Sequence, residues 1–547
     1  MFRFKLGNSN KNQNEAELSR RSFLKKSSAL GAAAAAAGAA GSAAQGRPIE
    51  RREDEYHPNI IICSGFGGSI TALRLTEKGI PALIVEKGKR WANPRLSKKQ
   101  TFSPNLYPDG RSTWLKNTTV VPLGPALPIR KRTGVLEGHD LAKFRVLNGA
   151  AYGGGSITYG GVMVQPDEKV FNQVFPEAIR FNDLKPYYAK VAKKLNRGTI
   201  PKDVLESKNY THNRVMIDHC KKAGVKLEPI PTATDWDIVR EEIDGTIKPS
   251  IIEGEAIYGV NSGAKFTTDQ TYLAEAEATG LLTVKTLHQV EEIAQNEDGR
   301  YVVIVREIDE YGKSVAVQVL TCDSLFLSAG SVGTSKLLVK AKAKGYLPKL
   351  NDEVGNGFGN NGNVYALRLG LKENVGSKQA GPPSLGINAL DNPNTPLFIE
   401  HPQLPVGIDF KGLLYFGIGI TPTRGSFYYD EKNDSVKLKW PKKDKGQEIV
   451  NKAIISVLEK LNKANGGFVT SILSLFKKKV KDDAVYHALG GCVMGKACDY
   501  YGRVKNYKGL YVNDSSFMPG TSACSNPSFT ISALAERNID KIIKEDY

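Results

Sequence analysis

The pattern of apolar and polar residues predicts a strand, a helix and a second strand over residues 59–86. Ile60–Ile62 is a short, fully apolar run of the kind that forms a buried parallel strand. Apolar residues then recur at helical spacing as far as Gly79, a residue type that commonly ends helices. A second apolar run at 82–85 completes a βαβ unit.

The turn between the first strand and the helix is short and rich in glycine. It contains Gly65, Phe66, Gly67 and Gly68. A helix N-terminus behind such a turn directs free N–H groups at a pyrophosphate, and Glu86 follows the second strand where an acidic residue binds a ribose hydroxyl. Cys63 occupies the first glycine position of G-x-G-x-x-G. The unit predicts dinucleotide binding and leaves NAD and FAD open, although similar turns occur in α/β proteins that bind nothing.

The strand–glycine–helix pattern returns far along the chain. Residues 282–290 and 301–306 have the pattern of strands, and 315–320 is expected to pair back as a hairpin. Residues 324–333 then repeat the strand and glycine-rich turn before a helix. A nucleotide-binding domain assembled from separated segments is therefore predicted.

A second group of elements carries no chemical motif. Residues 413–420, 426–429 and 436–440 are predicted strands, and 449–461 is a predicted amphipathic helix that ends at Gly466. We assign these elements to the core of a second, substrate-facing region.

Two stretches between these elements are candidates for ligand contact. Residues 91–143 show little periodicity, and so long a loop usually has a function or covers something. Residues 148–161 form a second glycine-rich run, whose density of glycine lets backbone lie against a planar or anionic ligand. A flexible linker is the alternative for this run, but the apolar residues 162–164 follow at once and favour a packed segment.

Composition and charge limit the classes of partner that the chain is expected to bind. The chain has 547 residues and a formal net charge of +18, to which residues 1–45 contribute seven Lys and Arg against two Glu. A basic surface favours nucleic acid or anionic membranes. No cluster of Lys and Arg is interleaved with aromatic residues, so we predict no nucleic-acid partner and attribute the charge to solvated lysines.

The N-terminus has the form of an export signal. Ser19–Lys25 reads SRRSFLK, a twin-arginine motif, and an Ala/Gly stretch follows over 29–44. Residues 1–45 are therefore expected to be a twin-arginine signal that exports the folded protein to the periplasm or the medium. A low-complexity tail is the alternative.

The six cysteines indicate no metal site. Cys492 and Cys498 are six residues apart, and no nearby pair has zinc-ligand spacing. Export would permit disulfides, but a chain of this size does not require them.

The C-terminal part contains three motif-like blocks. These are 486–495 (YHALGGCVMG), 509–520 (GLYVNDSSFMPG) and 525–538 (SNPSFTISALAERN). One histidine beside glycines is, by itself, more often a turn residue than a catalyst. With 59–90, 148–166, 254–290 and 324–365, however, these blocks resemble the glucose–methanol–choline (GMC) family of flavin oxidoreductases. Within that family the chain is most similar to the cholesterol oxidases that bind FAD non-covalently.

The resemblance implies a fold and a division into domains. The fold class is α/β (α+β overall), with a Rossmann-like FAD-binding domain and a substrate-binding domain whose largely antiparallel sheet is covered by helices. The FAD-binding domain would comprise 55–165, 256–345 and 481–547. The substrate-binding domain would comprise 166–255 and 346–480.

The resemblance also implies site residues. His487 and Asn526 match two catalytic positions, and a loop glutamate of the substrate domain matches Glu400 within 397–405. By itself, Glu400 would be a solvated loop carboxylate. Expected FAD contacts are Gly65, Phe66, Gly67, Gly68, Glu86, Gly155, Ser156, Tyr159, Gly160, Gly161, Val290, Asp514, Ser515 and Pro527.

The implied reaction is oxidation of a steroid 3β-hydroxyl to the ketone, with hydride transfer to flavin N5 and reoxidation by O2 to H2O2. His487 and Asn526 would bind the hydroxyl, and a buried Glu400 would shuttle a proton in a Δ5 to Δ4 isomerisation. Peripheral membrane contact would supply the sterol. The alternatives are oxidation of another bulky secondary alcohol with a different electron acceptor, and an exported flavin- or lipid-binding protein without turnover.

The sequence departs from the cholesterol oxidase pattern near the flavin. The departures are Cys63 for glycine, Tyr159 for asparagine, Ala488 for proline, Ser515 for glycine and Ser528 for an aromatic residue. FAD binding is expected to tolerate these changes better than sterol specificity does.

Overall fold

The structure is a computed structural model that describes residues 49–97, 99–120, 126–471 and 484–547. The predicted export signal at 1–45 lies outside these residues. No helix in the described ranges is long and apolar enough to cross a membrane.

The strands are short and distributed along the whole chain. They are β1 Glu50–Arg51, β2 Glu55–Tyr56, β3 Asn59–Ile62, β4 Ala82–Glu86, β5 Leu136–Leu141, β6 Phe144–Gly149, β7 Arg197–Gly198, β8 Leu227–Pro229, β9 Thr232–Ala233, β10 Leu282–Thr286, β11 His288–Gln295, β12 Tyr301–Ile308, β13 Ser314–Cys322, β14 Ser324–Leu327, β15 Asn356–Phe358, β16 Asn363–Leu369, β17 Leu385–Ala389, β18 Leu397–Glu400, β19 Leu413–Gly419, β20 Gly425–Asp430, β21 Ser435–Lys439, β22 Phe468–Ser471, β23 Ala484–Val485 and β24 Leu510–Val512.

The α-helices among the described residues connect and cover these strands. They are Phe66–Glu77, Gly155–Thr158, Glu168–Val174, Phe181–Lys194, Lys202–Glu206, Thr211–Ala223, Trp236–Asp244, Tyr272–Ala278, Gly330–Ala343, Lys445–Asn465 and Pro527–Asp546. Short 3₁₀ turns lie at Lys208–Tyr210, Ile251–Glu253, Glu431–Asn433 and Ser515–Phe517.

A five-stranded parallel sheet forms the first layer, in the order β10-β4-β3-β14-β24. Its central strands β3, β4 and β14 are almost fully buried, and the helix Phe66–Glu77 packs on β3 and β4, as expected for a parallel sheet. The edge strand β10 carries Thr283 and Lys285 and is only partly buried. The predicted βαβ unit and the later return to the same sheet at 324–327 are both confirmed. This sheet therefore draws strands from segments far apart in the sequence.

A second sheet contains the predicted hairpin. β11, β12 and β13 pair antiparallel, with Val303 opposite Ile293 on one side and Leu320 on the other. The single strand predicted at 282–290 is wrong: Leu287 has a φ of +60° and divides it into β10 and β11, which lie in different sheets.

A six-stranded antiparallel sheet forms the third layer, in the order β22-β16-β19-β18-β17-β8. Helix Lys445–Asn465 packs on it through Val450, Ile454 and Leu458, which are fully buried. The predicted α/β fold with an additional antiparallel sheet under helices is confirmed. The boundaries proposed for the two domains remain a prediction.

Two local predictions are corrected. The loop predicted over 91–143 contains β5, which pairs antiparallel with β6. Glu400 is not on a loop: it is the last residue of β18 and is paired with Phe416 of β19. The pattern Leu-Phe-Ile-Glu does not alternate because β18 is a central strand, buried on both faces.

Candidate active site

A cavity of about 800 Å³ lies at the carboxyl ends of the parallel strands and extends to the six-stranded sheet. Ile62 and Glu86 line it from the parallel sheet, while Tyr365, Glu400 and Phe416 line it from the antiparallel sheet. The carboxyl edge of an open parallel sheet is the usual place for a ligand. The two sheets thus provide the two walls of one cavity.

Most of the predicted cofactor residues line this cavity. They are Gly65, Phe66, Gly67, Glu86, Gly155, Tyr159, Gly160, Val290, Asp514, Ser515 and Pro527. Gly68, Ser156 and Gly161 do not line it. A Cβ on Gly68 would lie 2.1 Å from the carbonyl oxygen of Cys63, so this glycine permits close helix–strand packing. The Ser156 hydroxyl donates to the Gly153 carbonyl at 2.7 Å, and the Gly161 carbonyl accepts from the Ala233 N–H at 2.7 Å.

The first glycine-rich turn leaves open space in front of a helix N-terminus. No atom of the described residues lies within 4 Å of a Cβ added to Gly65, whereas a Cβ on Gly67 would lie 1.5 Å from the Asn513 carbonyl oxygen. Gly67 is therefore required by packing, and Gly65 borders empty space. The helix Phe66–Glu77 has no side-chain cap, so its first N–H groups are directed at that space.

Glu86 is fixed at the edge of the cavity. Its Oε2 accepts from the Ser64 N–H at 2.9 Å and from the Ser64 hydroxyl at 2.7 Å, and its Oε1 accepts from the Gly88 N–H at 2.7 Å. Burial raises the pKa of its carboxyl, and these hydrogen bonds act in the opposite direction. The side chain is thus oriented by the turn itself.

Cys63 adopts a conformation that suits the glycine it replaces. Its φ is +71°, in the left-handed region where a side chain costs about 1–2 kcal/mol. Burial also raises the pKa of its thiol well above the ordinary value, so the thiol is protonated at neutral pH. The departure at this position is therefore a strained residue in an otherwise conventional turn.

Replacing Cys63 with glycine is expected to raise the free energy of unfolding by about 1 kcal/mol, because the backbone strain is removed. Urea unfolding of the cofactor-loaded protein measures it. Cys63→Ala is the matched control, since it removes the thiol but keeps the strain. Equal stabilisation by alanine and glycine would contradict the backbone explanation.

Asp514 and Ser515 form hydrogen bonds with the N-terminus of a neighbouring helix. The Asp514 carboxylate accepts from the Gly330 N–H at 2.8 Å, and the Ser515 hydroxyl accepts from the Ser331 N–H at 2.8 Å. Both therefore cap the helix Gly330–Ala343. The hydroxyl of Tyr159 donates to the Phe266 carbonyl at 2.6 Å, so it is held away while its ring lines the cavity.

His487 is held in one tautomer by two asparagines. Its Nδ1 lies 3.1 Å from Nδ2 of Asn363 and 3.4 Å from Nδ2 of Asn361. The Asn361 amide cannot be reversed, because its Oδ1 accepts the Ser522 N–H at 2.8 Å. Nδ1 of His487 is thus an acceptor, and Nε2 carries the proton. Burial lowers the pKa of this imidazole to about 3, so it is neutral at physiological pH.

Glu400 and Asn526 form the second part of the polar cluster. Glu400 is 2% exposed, and burial raises the pKa of its carboxyl to about 8, while a side-chain hydrogen bond from Asn526 acts in the opposite direction. Among the described residues, Oε1 of Glu400 and Oδ1 of Asn526 have no hydrogen-bond partner. The three residues His487, Asn526 and Glu400 line the same cavity, as their predicted roles require.

Asn361 and Asn363 are functional-site residues that the sequence did not predict. The only local signal was the segment Asn-Asn-Gly-Asn at 360–363, which has no helical or strand periodicity. Their positioning role depends on contact with a histidine more than a hundred residues away, and local patterns do not contain that information.

Lys336 was also missed. It lines the cavity, burial lowers the pKa of its ammonium, and the described part of the chain offers it no salt bridge. Lys340 lines the same wall but pairs with Glu292 at 3.0 Å. Lys336 is therefore the better candidate to neutralise an anionic ligand.

One group of side chains in the described residues has the composition of a metal site. Asp218, His219 and Glu373 form a group that could hold a metal ion, but Nδ1 of His219 lies 3.1 Å from the guanidinium of Arg368. That positive charge opposes a cation, and the group lies outside the cavity lining.

Comparison with known proteins identifies the family. The "GMC oxidoreductase" models match residues 128–344 and 423–535, and the "GMC oxidoreductase, C-terminal" model matches 361–476. Together they span well over half of the chain. The chain belongs to the GMC oxidoreductase family. It is therefore an FAD-dependent oxidoreductase that acts on CH–OH groups.

Proteins with similar sequences are named as oxidases of cholesterol and of long-chain alcohols. A cholesterol oxidase of Acinetobacter baumannii is 25% identical over 558 residues, covering 88% of this chain and 94% of that protein. A cholesterol oxidase of Mycobacterium tuberculosis is 28% identical over 311 residues, covering 54% of this chain and 50% of that protein. A long-chain-alcohol oxidase of Arabidopsis thaliana is 25% identical over 224 residues, covering 40% of this chain and 25% of that protein.

Solved structures support the same fold. Pyridoxine 4-oxidase from Mesorbium loti has a TM-score of 0.59 and 14% identity, with 90% of this chain and 100% of that chain covered. A fungal aryl-alcohol oxidase has a TM-score of 0.60 and 14% identity, with 90% of this chain and 99% of that chain covered. At this identity the likeness concerns the fold alone.

The residues of the cavity fit the FAD of GMC oxidoreductases. Gly65 and Gly155 leave room for a ligand against backbone, because no atom in the described part of the chain lies within 4 Å of a Cβ added to either. The uncapped helix N-terminus and Lys336 suit a pyrophosphate, and Glu86 suits a ribose. These groups would hold FAD, which when bound supplies the hydride acceptor.

Replacing Lys336 with methionine is expected to raise the dissociation constant of FAD about tenfold, because one charge-assisted contact is lost. Flavin fluorescence during titration of the apoprotein with FAD measures the constant. Lys340→Met is the matched control and should change it little. An effect of Lys340→Met equal to that of Lys336→Met would refute a specific role.

Proposed function

We propose that this protein oxidises the 3β-hydroxyl of a cholesterol-type steroid to the ketone and passes the electrons to O2, forming H2O2. The observation that supports this most directly is the combination of a neutral His487, Asn526 and a high-pKa Glu400 in one cavity of about 800 Å³. The similarity to two cholesterol oxidases supports the choice of substrate class.

His487 and Asn526 offer complementary groups for an alcohol. Nε2 of His487 carries the only proton of the ring, so it can donate to the substrate oxygen. Oδ1 of Asn526 is a buried acceptor without a partner in the described residues, so it can accept the substrate O–H. Together they would orient the carbinol, and its C–H hydrogen would be directed at the hydride acceptor. The hydroxyl proton would be released to solvent as the C=O bond forms, and with the hydride it balances the reduction of O2 to H2O2.

Glu400 suits a later proton transfer. A carboxyl whose pKa is about 8 accepts and returns a proton near neutral pH at low cost. We therefore include isomerisation of the double bond from Δ5 to Δ4 in the proposed function. Glu400 would take the proton from the carbon between the new ketone and the double bond and return it two carbons away.

Anaerobic mixing with a panel of alcohols tests the substrate class. The panel should contain cholesterol, smaller 3β-hydroxysteroids, a long-chain alcohol and an aryl alcohol. Bleaching of the flavin absorbance by the steroids is expected, and absorbance near 240 nm reports the conjugated ketone. Bleaching only by non-steroid alcohols would refute the steroid assignment, and bleaching by none would refute turnover. Peroxide release in air distinguishes O2 from another acceptor.

We propose that the FAD is bound without a covalent link, as the resemblance to non-covalent cholesterol oxidases implies. Acid precipitation of the protein tests this, because a non-covalent flavin stays in the supernatant. A yellow pellet after washing would contradict the proposal.

We propose that the full chain is exported through its twin-arginine segment, Ser19–Lys25. The cofactor is inserted before such export, which suits a folded flavoprotein. Fractionation of producing cells tests this: activity confined to the cytoplasm would contradict export.

We propose further that the cavity mouth contacts lipid membranes. Val406 lines the cavity and is 45% exposed, and Ile408 is 67% exposed two residues later. The neighbouring loop adds Tyr107, which is 82% exposed. Isolated apolar residues on a surface are common, but here they stand together at the mouth of the cavity.

Ile408→Ser is expected to lower activity on sterol in phospholipid vesicles about tenfold and to leave activity on a steroid in detergent micelles unchanged, because only the apolar anchor is lost. Initial rates on both substrate forms measure the effect. Val315→Ser, which removes another exposed apolar side chain away from the cavity lining, is the control. A parallel loss in vesicles and micelles would exclude a membrane role.

A further inference from the structure

The cavity has a second polar region near its mouth, separate from the cluster of His487, Asn526 and Glu400. Asn105 and Gln403 line the cavity, and both place their amide nitrogens near one carbonyl. Nδ2 of Asn105 donates to the Gly254 carbonyl oxygen at 2.8 Å, and Nε2 of Gln403 lies 3.5 Å from the same oxygen. We call Asn105 and Gln403 the mouth cluster.

The orientation of both amides is determined by this shared carbonyl. A carbonyl oxygen only accepts hydrogen bonds, so the nitrogen of each amide must face Gly254 and the amide oxygen must face the other way. Oδ1 of Asn105 and Oε1 of Gln403 are shielded from water and have no hydrogen-bond partner in the described ranges. The mouth cluster therefore contains two unused acceptors.

The two unpaired amide oxygens belong to residues that line the cavity, so a bound ligand can reach them. Buried polar atoms without partners are costly, and a ligand that pairs with them recovers that cost.

The mouth cluster adjoins the apolar mouth of the cavity. A Cβ on Gly254 would lie 2.7 Å from Pro405, which precedes the exposed Val406. Glu400 and Gln403 are three residues apart on one chain, a span of at most about 10 Å. A ligand whose carbinol lies at His487 would thus present its far end to the mouth cluster.

We propose that the mouth cluster is a subsite for a second hydroxyl of the substrate, so that the preferred substrate is a diol of steroid size. A hydroxyl donates to an amide oxygen of Asn105 or Gln403. A ketone and a hydrocarbon both leave the amide oxygens without a donor, and a carboxylate is repelled by them. The inference deepens the proposed steroid oxidation and rests on it.

Three steroids that differ only at the far end test the subsite: androst-5-en-3β-ol, its 17-ketone and its 17β-alcohol. We expect kcat/KM of the wild-type holoenzyme to be about tenfold higher for the diol than for the other two, the effect of one buried hydrogen bond. In Asn105→Leu/Gln403→Leu this preference should vanish while kcat for the monoalcohol stays within about threefold. Gln295→Leu, a similar replacement outside the cavity lining, should retain the preference.

Binding is measured in parallel, so that a failed subsite is distinguished from a failed proposed function. Quenching of flavin fluorescence gives the dissociation constant of each steroid whether or not turnover occurs. A tenfold preference for the diol that the double variant abolishes supports the subsite, even if no steroid reduces the flavin. Equal dissociation constants for the three steroids, or an equal loss for all three in the double variant, would overturn it. Absence of flavin reduction by every steroid would refute the proposed function instead.

Discussion

Replacing His487 with leucine is expected to lower kcat for alcohol oxidation about 10²–10³-fold, the usual cost of one buried donor to the reacting oxygen. The physical reason is the fixed tautomer: Asn361 and Asn363 both direct amide N–H groups at Nδ1, which leaves Nε2–H for the substrate. Stopped-flow reduction of the flavin under anaerobic conditions measures the chemical step directly.

His487→Gln is the matched variant, because its amide retains an N–H donor. A smaller loss than for leucine is expected. A rate for His487→Leu within threefold of the wild type would exclude the assigned role. FAD content and unfolding temperature should be measured for both variants, since a loss of cofactor would also lower the rate.

The pH dependence gives a second test of the histidine. Burial lowers the pKa of His487 to about 3, so the imidazole is already neutral at every pH above about 5. Flavin reduction should therefore show no inflection near 6.5, the ordinary pKa of histidine. An inflection there that disappears in His487→Gln would show that His487 titrates and acts as a base.

Local patterns were sufficient for the elements of the parallel sheet. Ile60–Ile62, the glycine-rich turn and Glu86 lie within one continuous segment, and each is specified by its neighbours in sequence. The same holds for the helix Lys445–Asn465, whose apolar positions recur at helical spacing. Such elements are predictable because periodicity and turn chemistry are local properties.

The polar cluster was predictable only in part. His487 and Asn526 lie in recognisable motifs, but the burial of Glu400 depends on β17 and β19, which pair with β18 from both sides. Nothing in residues 397–400 indicates that both neighbours exist. The same applies to Asn361, whose orientation is determined by the Ser522 N–H.

The glycine-rich turns also make packing contacts that the sequence motif does not specify. The Asn513 carbonyl leaves no room for a side chain at Gly67, and the Cys63 carbonyl leaves none at Gly68. Each glycine is therefore explained by a close backbone contact. Cys63 shows the converse: a residue can occupy a glycine position if the fold tolerates its strain. A motif therefore locates a cofactor turn without assigning a role to each of its residues.

Replacing Glu400 with glutamine is expected to abolish Δ5 to Δ4 isomerisation, a loss of at least about 10²-fold, because an amide cannot accept and return the proton. Oxidation should continue, so the unconjugated ketone would accumulate. The yield of conjugated ketone per peroxide formed measures the partition. Glu253→Gln, which removes an exposed carboxylate paired with Lys378, is the control and should leave the partition unchanged.

The pKa of Glu400 sets the direction of the pH effect. Burial raises it from 4.5 to about 8, so the carboxyl is mostly protonated at pH 6 and mostly ionised at pH 9. Since only the ionised form accepts a proton, isomerisation should rise with pH and reach half its maximum near pH 8. The same shift makes the folded state less stable as pH rises from about 4.5 to 8, because the unfolded chain ionises more readily. A flat isomerisation profile from pH 6 to 9, or conjugated ketone formed at the wild-type rate by Glu400→Gln, would remove Glu400 from this step.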